Sequence, residues 1–161
     1  MEFGIRSTVK LIIIDDGKVL LNRCHDRLNG DYYSLPGGGQ EKFETIDQAI
    51  RRECLEETGY SVVPRRFVAL FEEINDSLEF RDEYPQYAHK MLHIFVCSLA
   101  SDDKVEPSET DDLQVASEWV EISDVTNRNL LPKIVKERFR ELLNAEKAVF
   151  LGSDHLPFNH G

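Results

Sequence analysis

The sequence predicts a single domain of the α/β class, organised as α+β, and three observations predict it. At 161 residues the chain is long enough to close one hydrophobic core but not two independent ones. Two runs of β-branched and aliphatic residues flank the Asp-Gly signal of a tight hairpin. A later segment carries both a start and a stop signal for a helix and is followed by further strand-like runs. The expectation is one domain over residues 1–161, with 145–161 as a tail.

Taken in order, Thr8 to Ile14 and Lys18 to Arg23 read as two antiparallel strands around Asp15-Asp16-Gly17. Cys24 to Tyr33 turns polar and contains Asn29-Gly30-Asp31, a loop signature, and Ser34-Leu35-Pro36-Gly37-Gly38-Gly39 breaks regular structure. Thr45 with Gln48 three residues on fits a capping box, good helix formers fill Ile46 to Thr58, and Gly59 supplies the stop. Phe67 to Ile74 and Met91 to Leu99 are apolar enough for core strands, with a long polar connection, Asn75 to His89, between them. Such a connection often shapes a binding pocket. An acidic loop, Ser101 to Asp112, precedes a short strand around Ser117 to Val120 and a helix from Pro132 to Asn144. Ile134, Val135, Phe139, Leu142 and Leu143 give that helix one apolar stripe. The tail from Ala145 reads as coil that docks through Val149, Phe150 and Leu151.

Composition narrows the function. Apolar residues make up 41% and charged residues 30%, with no long apolar run, which favours a soluble protein over a membrane one. The start of the chain lacks the basic-then-apolar build of a secretory signal, and Cys24, Cys54 and Cys97 are odd in number and widely spaced. A reducing, cytoplasmic setting is the expectation. Thirty acidic against nineteen basic residues give a net charge of -11, which repels polymeric DNA or RNA. A small phosphorylated ligand stays open, because a divalent cation reverses the local field where carboxylates gather.

The segment Ile46 to Thr58 holds an anomaly. At about 100° per residue from Ile46, Ala49 falls near roughly 300°, Ile50 near 40° and Cys54 near 80°, which defines the face that enters the core. Glu53 and Glu57 lie within about 20° of Ile46 on that same face, with Glu56 beside them near roughly 280°. Arg52 neighbours Glu56 at the spacing that permits an ion pair. Burying such acids is costly without solvent or cations, and hard divalent cations take oxygen ligands. Periodicity alone leaves two readings open, a solvated acidic surface and a cation site.

The stretch Gly38 to Tyr60, GGQEKFETIDQAIRRECLEETGY, resembles the 23-residue Nudix box, with Gly38, Glu44, Arg52, Glu53, Glu56, Glu57 and Gly59 in register. Cys54 and Tyr60 stand where aliphatic residues are usual, and both are apolar enough to pack. Leu35-Pro36-Gly37-Gly38, the opening hairpin, the Glu-Trp-Val of Glu118 to Val120 and the closing helix are similar to the family as well. The resemblance implies a mixed, mainly antiparallel central sheet in an α/β/α sandwich. It also implies magnesium-dependent hydrolysis, with manganese as a substitute, of a nucleoside diphosphate linked to another group.

Carried over position by position, the resemblance makes Glu53 and Glu57 the principal metal ligands, with Glu56 a ligand or supporting carboxylate and the Gly38 carbonyl completing the site. Arg52 would orient a glutamate with Glu44 as its partner, and Gly37, Gly38, Gly39 and Arg23 would meet substrate. Glu53 is the first choice for general base within the box, and Glu109, Asp111, Asp112 and Glu118 are the distant alternatives, each also readable as part of a solvated loop. His89 and His93 read as packing or edge residues, and Tyr32, Tyr33 and Trp119 as packing or base-stacking groups. A silent nucleotide-sensing domain and a diphosphate isomerase are the competing classes. No box carboxylate is missing, which argues against the sensor, and no isomerase motif is visible. Oxidised nucleoside triphosphates, nucleotide sugars, ADP-ribose and dinucleoside polyphosphates stay open as substrates, with Asn75 to His89 expected to choose among them. The sequence leaves the oligomeric state open, with a homodimer as one candidate because dimers are common among similar proteins.

Overall fold

The computed structural model describes residues 3–26, 29–108 and 114–157. Strands β1 (Arg6–Asp15) and β2 (Lys18–Asp26) form the opening hairpin, and Asp16 and Gly17 both take positive φ, 48° and 73°. That turn matches the right-handed twist of the strands it joins. β3 (Gly30–Ser34) and β4 (Gly37–Gly39) follow, then helix α1 (Ile46–Thr58). Both bonds of the predicted capping box are made, Gln48 N to Thr45 Oγ1 at 3.1 Å and Thr45 N to Gln48 Oε1 at 2.8 Å. Gly59, at φ 79°, donates its N–H to the Leu55 carbonyl and ends the helix.

Two long strands, β5 (Tyr60–Asn75) and β6 (His89–Lys104), run antiparallel beyond the apolar cores that the sequence marks. Register shifts in β5 between Tyr60 and Val62, Pro64 and Arg66, and Phe67 and Ala69 absorb the proline and arginines that disguise the strand's beginning. The connection between them is not all irregular. It holds α2 (Leu78–Glu83), capped by Ser77, and a 3-10 turn at Pro85–Tyr87. β7 (Gln114–Glu121), β8 (Leu130–Leu131), α3 (Lys133–Glu137), α4 (Phe139–Asn144) and β9 (Val149–Leu156) complete the chain.

Three expectations are corrected. The segment read as coil from Ala145 contains β9, which pairs parallel with β5; pairing to a distant edge, not a local period, makes it a strand. The helix expected from Pro132 to Asn144 is two short helices, broken at Arg138 (φ -108°, ψ 15°), an arrangement that buries both Val135 and Phe139. The glycine run that reads as a break in regular structure is strand β4, whose bare backbone pairs with β1.

The sheet runs β8-β3-β2-β1-β6-β5-β9, with β4 also on β1 and β7 also on β2. β1–β6, β3–β8 and β5–β9 are parallel and the other pairs antiparallel. Alternation along β1 sends Val9, Leu11 and Ile13 to one face, under α1 with Ala49, Ile50 and Cys54, while Ile12 packs on the other with Val125, Val135, Phe139 and Leu142. The result is a mixed sheet between two helical layers.

One departure from regularity positions the site. β1 and β2 register only through Ile14 with Val19 and Asp15 with Lys18. Beyond that point they part, β1 taking β4 as its neighbour while β2 takes β7. The C-terminal half of α1 lies over this split. Among the described residues no helix is long and apolar enough to cross a membrane.

Candidate active site

Glu57 closes the split from the α1 side. It is only 8% exposed, and its Oε1 accepts from Asn22 Nδ2 on β2 at 2.7 Å and from the Gly37 N–H on β4 at 3.4 Å. Burial pushes its carboxyl up to about 8, Lys10 pulls the other way, and the nearby charge of Glu53 adds to the rise. Asn22 is itself held through Oδ1, by Ser117 Oγ at 3.0 Å and Gln114 Nε2 at 3.3 Å, and Gln114 also reaches the Glu57 carbonyl at 3.2 Å. A polar chain thus fixes the orientation of one buried acid.

Arg52 organises the neighbouring carboxylates. Its fork engages Glu44 twice, Nε to Oε2 at 2.7 Å and Nη2 to Oε1 at 2.9 Å, and Nη2 also reaches the Gly39 carbonyl at 2.9 Å. Nη1 bridges Glu53 Oε1 at 2.9 Å and Glu56 Oε2 at 3.1 Å. This bidentate grip holds Glu44 below the ordinary carboxylate range and keeps Arg52 firmly charged. One cation therefore ties the loop before α1 to three acids.

The glycines are required by space. A Cβ on Gly38 would lie 2.5 Å from Glu53 Oε2, and one on Gly37, at φ 141°, would strike the Val9 carbonyl. Gly39 meets the Arg6 guanidinium in the same way on the opposite side of β4. The glycine strand is thus pressed between a carboxylate and a guanidinium.

The donors at this place are all oxygen: Glu53, Glu56 and Glu57 carboxylates beside the backbone of Gly38. Among the described residues no three His, Cys, Asp or Glu side chains already surround one metal-sized point. Magnesium does not need such a cage, since it keeps several waters and takes one or two carboxylates with substrate phosphates. The acids outnumber Arg52, and burial disfavours an uncompensated charge on Glu57. The donor set and the charge balance fit a hard divalent cation.

A family profile described as NUDIX domain matches residues 4–143. The chain belongs to the NUDIX family. A Caenorhabditis elegans protein named as a nudix hydrolase is 33% identical over 113 residues, covering 69% of this chain and 26% of its own. The chain thus spans about a quarter of that relative's length. The fold is similar to a MutT protein of Bacillus halodurans, with TM-score 0.71 and 22% identity over 95% of this chain and 92% of that one. It is also similar to an ADP-ribose pyrophosphatase of Streptococcus suis, with TM-score 0.61 and 20% identity over 94% and 100%.

Within the NUDIX box the fold gathers Gly38, Glu44, Arg52, Glu53, Glu56 and Glu57. Arg23 does not join them. It is exposed on β2 and lines a separate cavity of about 330 Å³ with Tyr32, Tyr33 and Glu118. There Tyr33 donates its hydroxyl to Glu118 at 2.9 Å and receives Arg128 at 3.1 Å. Glu109, Asp111 and Asp112 lie outside the described residues. His89 bonds Glu72 at 2.7 Å, His93 faces the Thr8 carbonyl at 3.2 Å, and Trp119 donates to the Tyr60 hydroxyl at 3.1 Å with their rings edge to face, so these three serve other contacts. Lys10, Asn22, Gln114 and Ser117 escaped the sequence reading. Asn22 had a signal, a polar residue closing the apolar run Val19-Leu20-Leu21; Gln114 and Ser117 had none, because only strand pairing brings β7 to this point.

Proposed function

We propose that this NUDIX chain hydrolyses a diphosphate linkage in a nucleoside diphosphate joined to another group, releasing a nucleotide and a phosphorylated product or pyrophosphate. The observation that carries the reading is Glu57, a carboxylate nearly enclosed at the split of the sheet and pushed up to about 8 by that burial, with the charge of Glu53 adding to the rise. Glu53, Glu56, Glu57 and the Gly38 carbonyl would hold magnesium, or manganese in its place. When bound, the cation would neutralise phosphate oxygens and acidify the attacking water.

The chain's own groups have distinct tasks. Glu53 takes the proton as water oxygen bonds to phosphorus, and the P–O bond to the leaving phosphate breaks with its electron pair. Arg52 keeps Glu53 and Glu56 from swinging away, and Asn22 does the same for Glu57. Lys10 and the β4 backbone position the diphosphate at the split, while Arg23 stays with its separate cavity. The ADP-ribose pyrophosphatase among the similar folds makes nucleotide-linked sugars sensible first substrates.

The test is a panel of ADP-ribose, nucleotide sugars, nucleoside triphosphates and dinucleoside polyphosphates, with magnesium and with manganese, read as released monophosphate or pyrophosphate. Metal-dependent cleavage of one class is expected. Tight binding of a nucleotide with no product from any member would favour a sensor instead.

A further inference from the structure

One face of β1 carries groups that the hydrolytic reading leaves mostly unused. Arg6, Thr8 and Lys10 alternate along the strand, so all three side chains leave it on the same side. The strand is the one that pairs with the glycines of the site, Thr8 opposite Gly39 and Lys10 opposite Gly37. Lys10 lies close enough to pull on Glu57, and Arg6 sits four residues away, roughly 13 Å along the strand. The guanidinium of Arg6 rests on Gly39 and stacks 4.8 Å above the ring of Tyr87, which belongs to the connection between β5 and β6.

The charge state of this face is unusual for the chain. In a protein with thirty acidic and nineteen basic residues, Arg6 and Lys10 are half-buried, and among the described residues neither has a carboxylate within ion-pair distance. Lys10 makes one long contact, 3.4 Å to the Leu35 carbonyl. Between them the Thr8 hydroxyl is 4% exposed and makes no hydrogen bond. A buried hydroxyl left unsatisfied costs on the order of 1–3 kcal/mol, so a ligand that engages it recovers that loss. Lys90 lies opposite Arg6 on β6, and Glu73 faces Lys90 from β5.

Resting on the proposed hydrolysis, we propose that Arg6, Thr8 and Lys10 form an anion-binding track in which Lys10 meets the diphosphate and Arg6 with Thr8 takes a second negatively charged group of the substrate, a phosphate or carboxylate beyond the diphosphate. That group resides on the nucleoside or on the moiety linked to it. Arg6 stacked on Tyr87 keeps its in-plane N–H donors for such an anion, which is the geometry that suits phosphate and carboxylate. The substrate class is then a nucleotide conjugate that carries a phosphate or carboxylate in addition to its diphosphate, in preference to a nucleotide sugar whose sugar is uncharged.

Two pairs of probes separate the sources: NADPH against NADH, which differ by a phosphate on the nucleoside, and UDP-glucuronate against UDP-glucose, which differ by a carboxylate on the sugar. Dissociation constants are measured by calorimetry in EDTA, and kcat/KM with magnesium. In one pair the more anionic member is expected to bind about tenfold tighter or better, Arg6→Ala to bring the pair within about twofold, and Arg6→Lys to retain most of the preference. Equal affinities within both pairs, or a preference that Arg6→Ala leaves intact in a folded protein, overturns the track. A preference in EDTA without any magnesium-dependent turnover would sustain the track while removing the hydrolysis. Turnover of both members with equal constants would do the reverse.

Discussion

At the scale of single residues, Glu57 couples stability to pH. Its folded carboxyl is raised to about 8 from 4.5 by burial, so between those values the native state holds a proton that the unfolded state has released. Stability of the metal-free protein should therefore fall as pH rises from about 5 to 8. Thermal midpoints in EDTA would show this, and Glu57→Gln should flatten the slope; the same slope in both proteins would remove Glu57 as its source. Phe43 poses a different residue-scale question. It is 94% exposed and takes φ 70°, a backbone region that side chains resist, in the loop leading to α1. Phe43→Gly should raise unfolding free energy by about 1 kcal/mol in urea titrations. A loss of stability would mean that the ring, with Lys42 above it at 5.2 Å, contributes more than the strain costs.

Among the elements, those announced by local chemistry were legible in the sequence and those made by distant pairing were not. The Asp-Gly hairpin, the capping box of α1 and its Gly59 stop each rest on residues within a few positions of one another, and each is found where expected. β9 was not legible, because Val149–Leu156 becomes a strand only by lying along β5. The same holds for the first half of β5, where Pro64 and two arginines hide a strand that bulges accommodate. β9 also covers an edge that would otherwise present open backbone groups. A chain ending at Asn144 should therefore unfold at lower temperature and associate through β5, measurable by light scattering on heating. Unchanged scattering would make β9 a passive addition.

For the whole molecule, the decisive feature is the parting of β1 from β2. Neither strand signals it alone; it arises because β4 and β7 each claim one of them. Glu53, Glu56, Glu57 and Arg52 were legible as a cluster from helical period and box register. The polar chain from Asn22 through Gln114 and Ser117, and the cation at Lys10, were not, since they come from three strands that only the closed sheet brings to the α1 carboxylates. The split gives those carboxylates a rigid rim, and it puts the glycine backbone between them and the cationic face of β1.

The central claim, that Glu57 at this split supports metal-dependent cleavage of a diphosphate, is tested most directly by magnesium-dependent turnover of the wild type and of Glu57→Gln on the best substrate of the panel. A fall in kcat/KM of about 100-fold or more with an intact circular dichroism spectrum is expected, since several kcal/mol of transition-state stabilisation would be lost. Turnover within a few-fold of the wild type, with the same magnesium requirement, would contradict it.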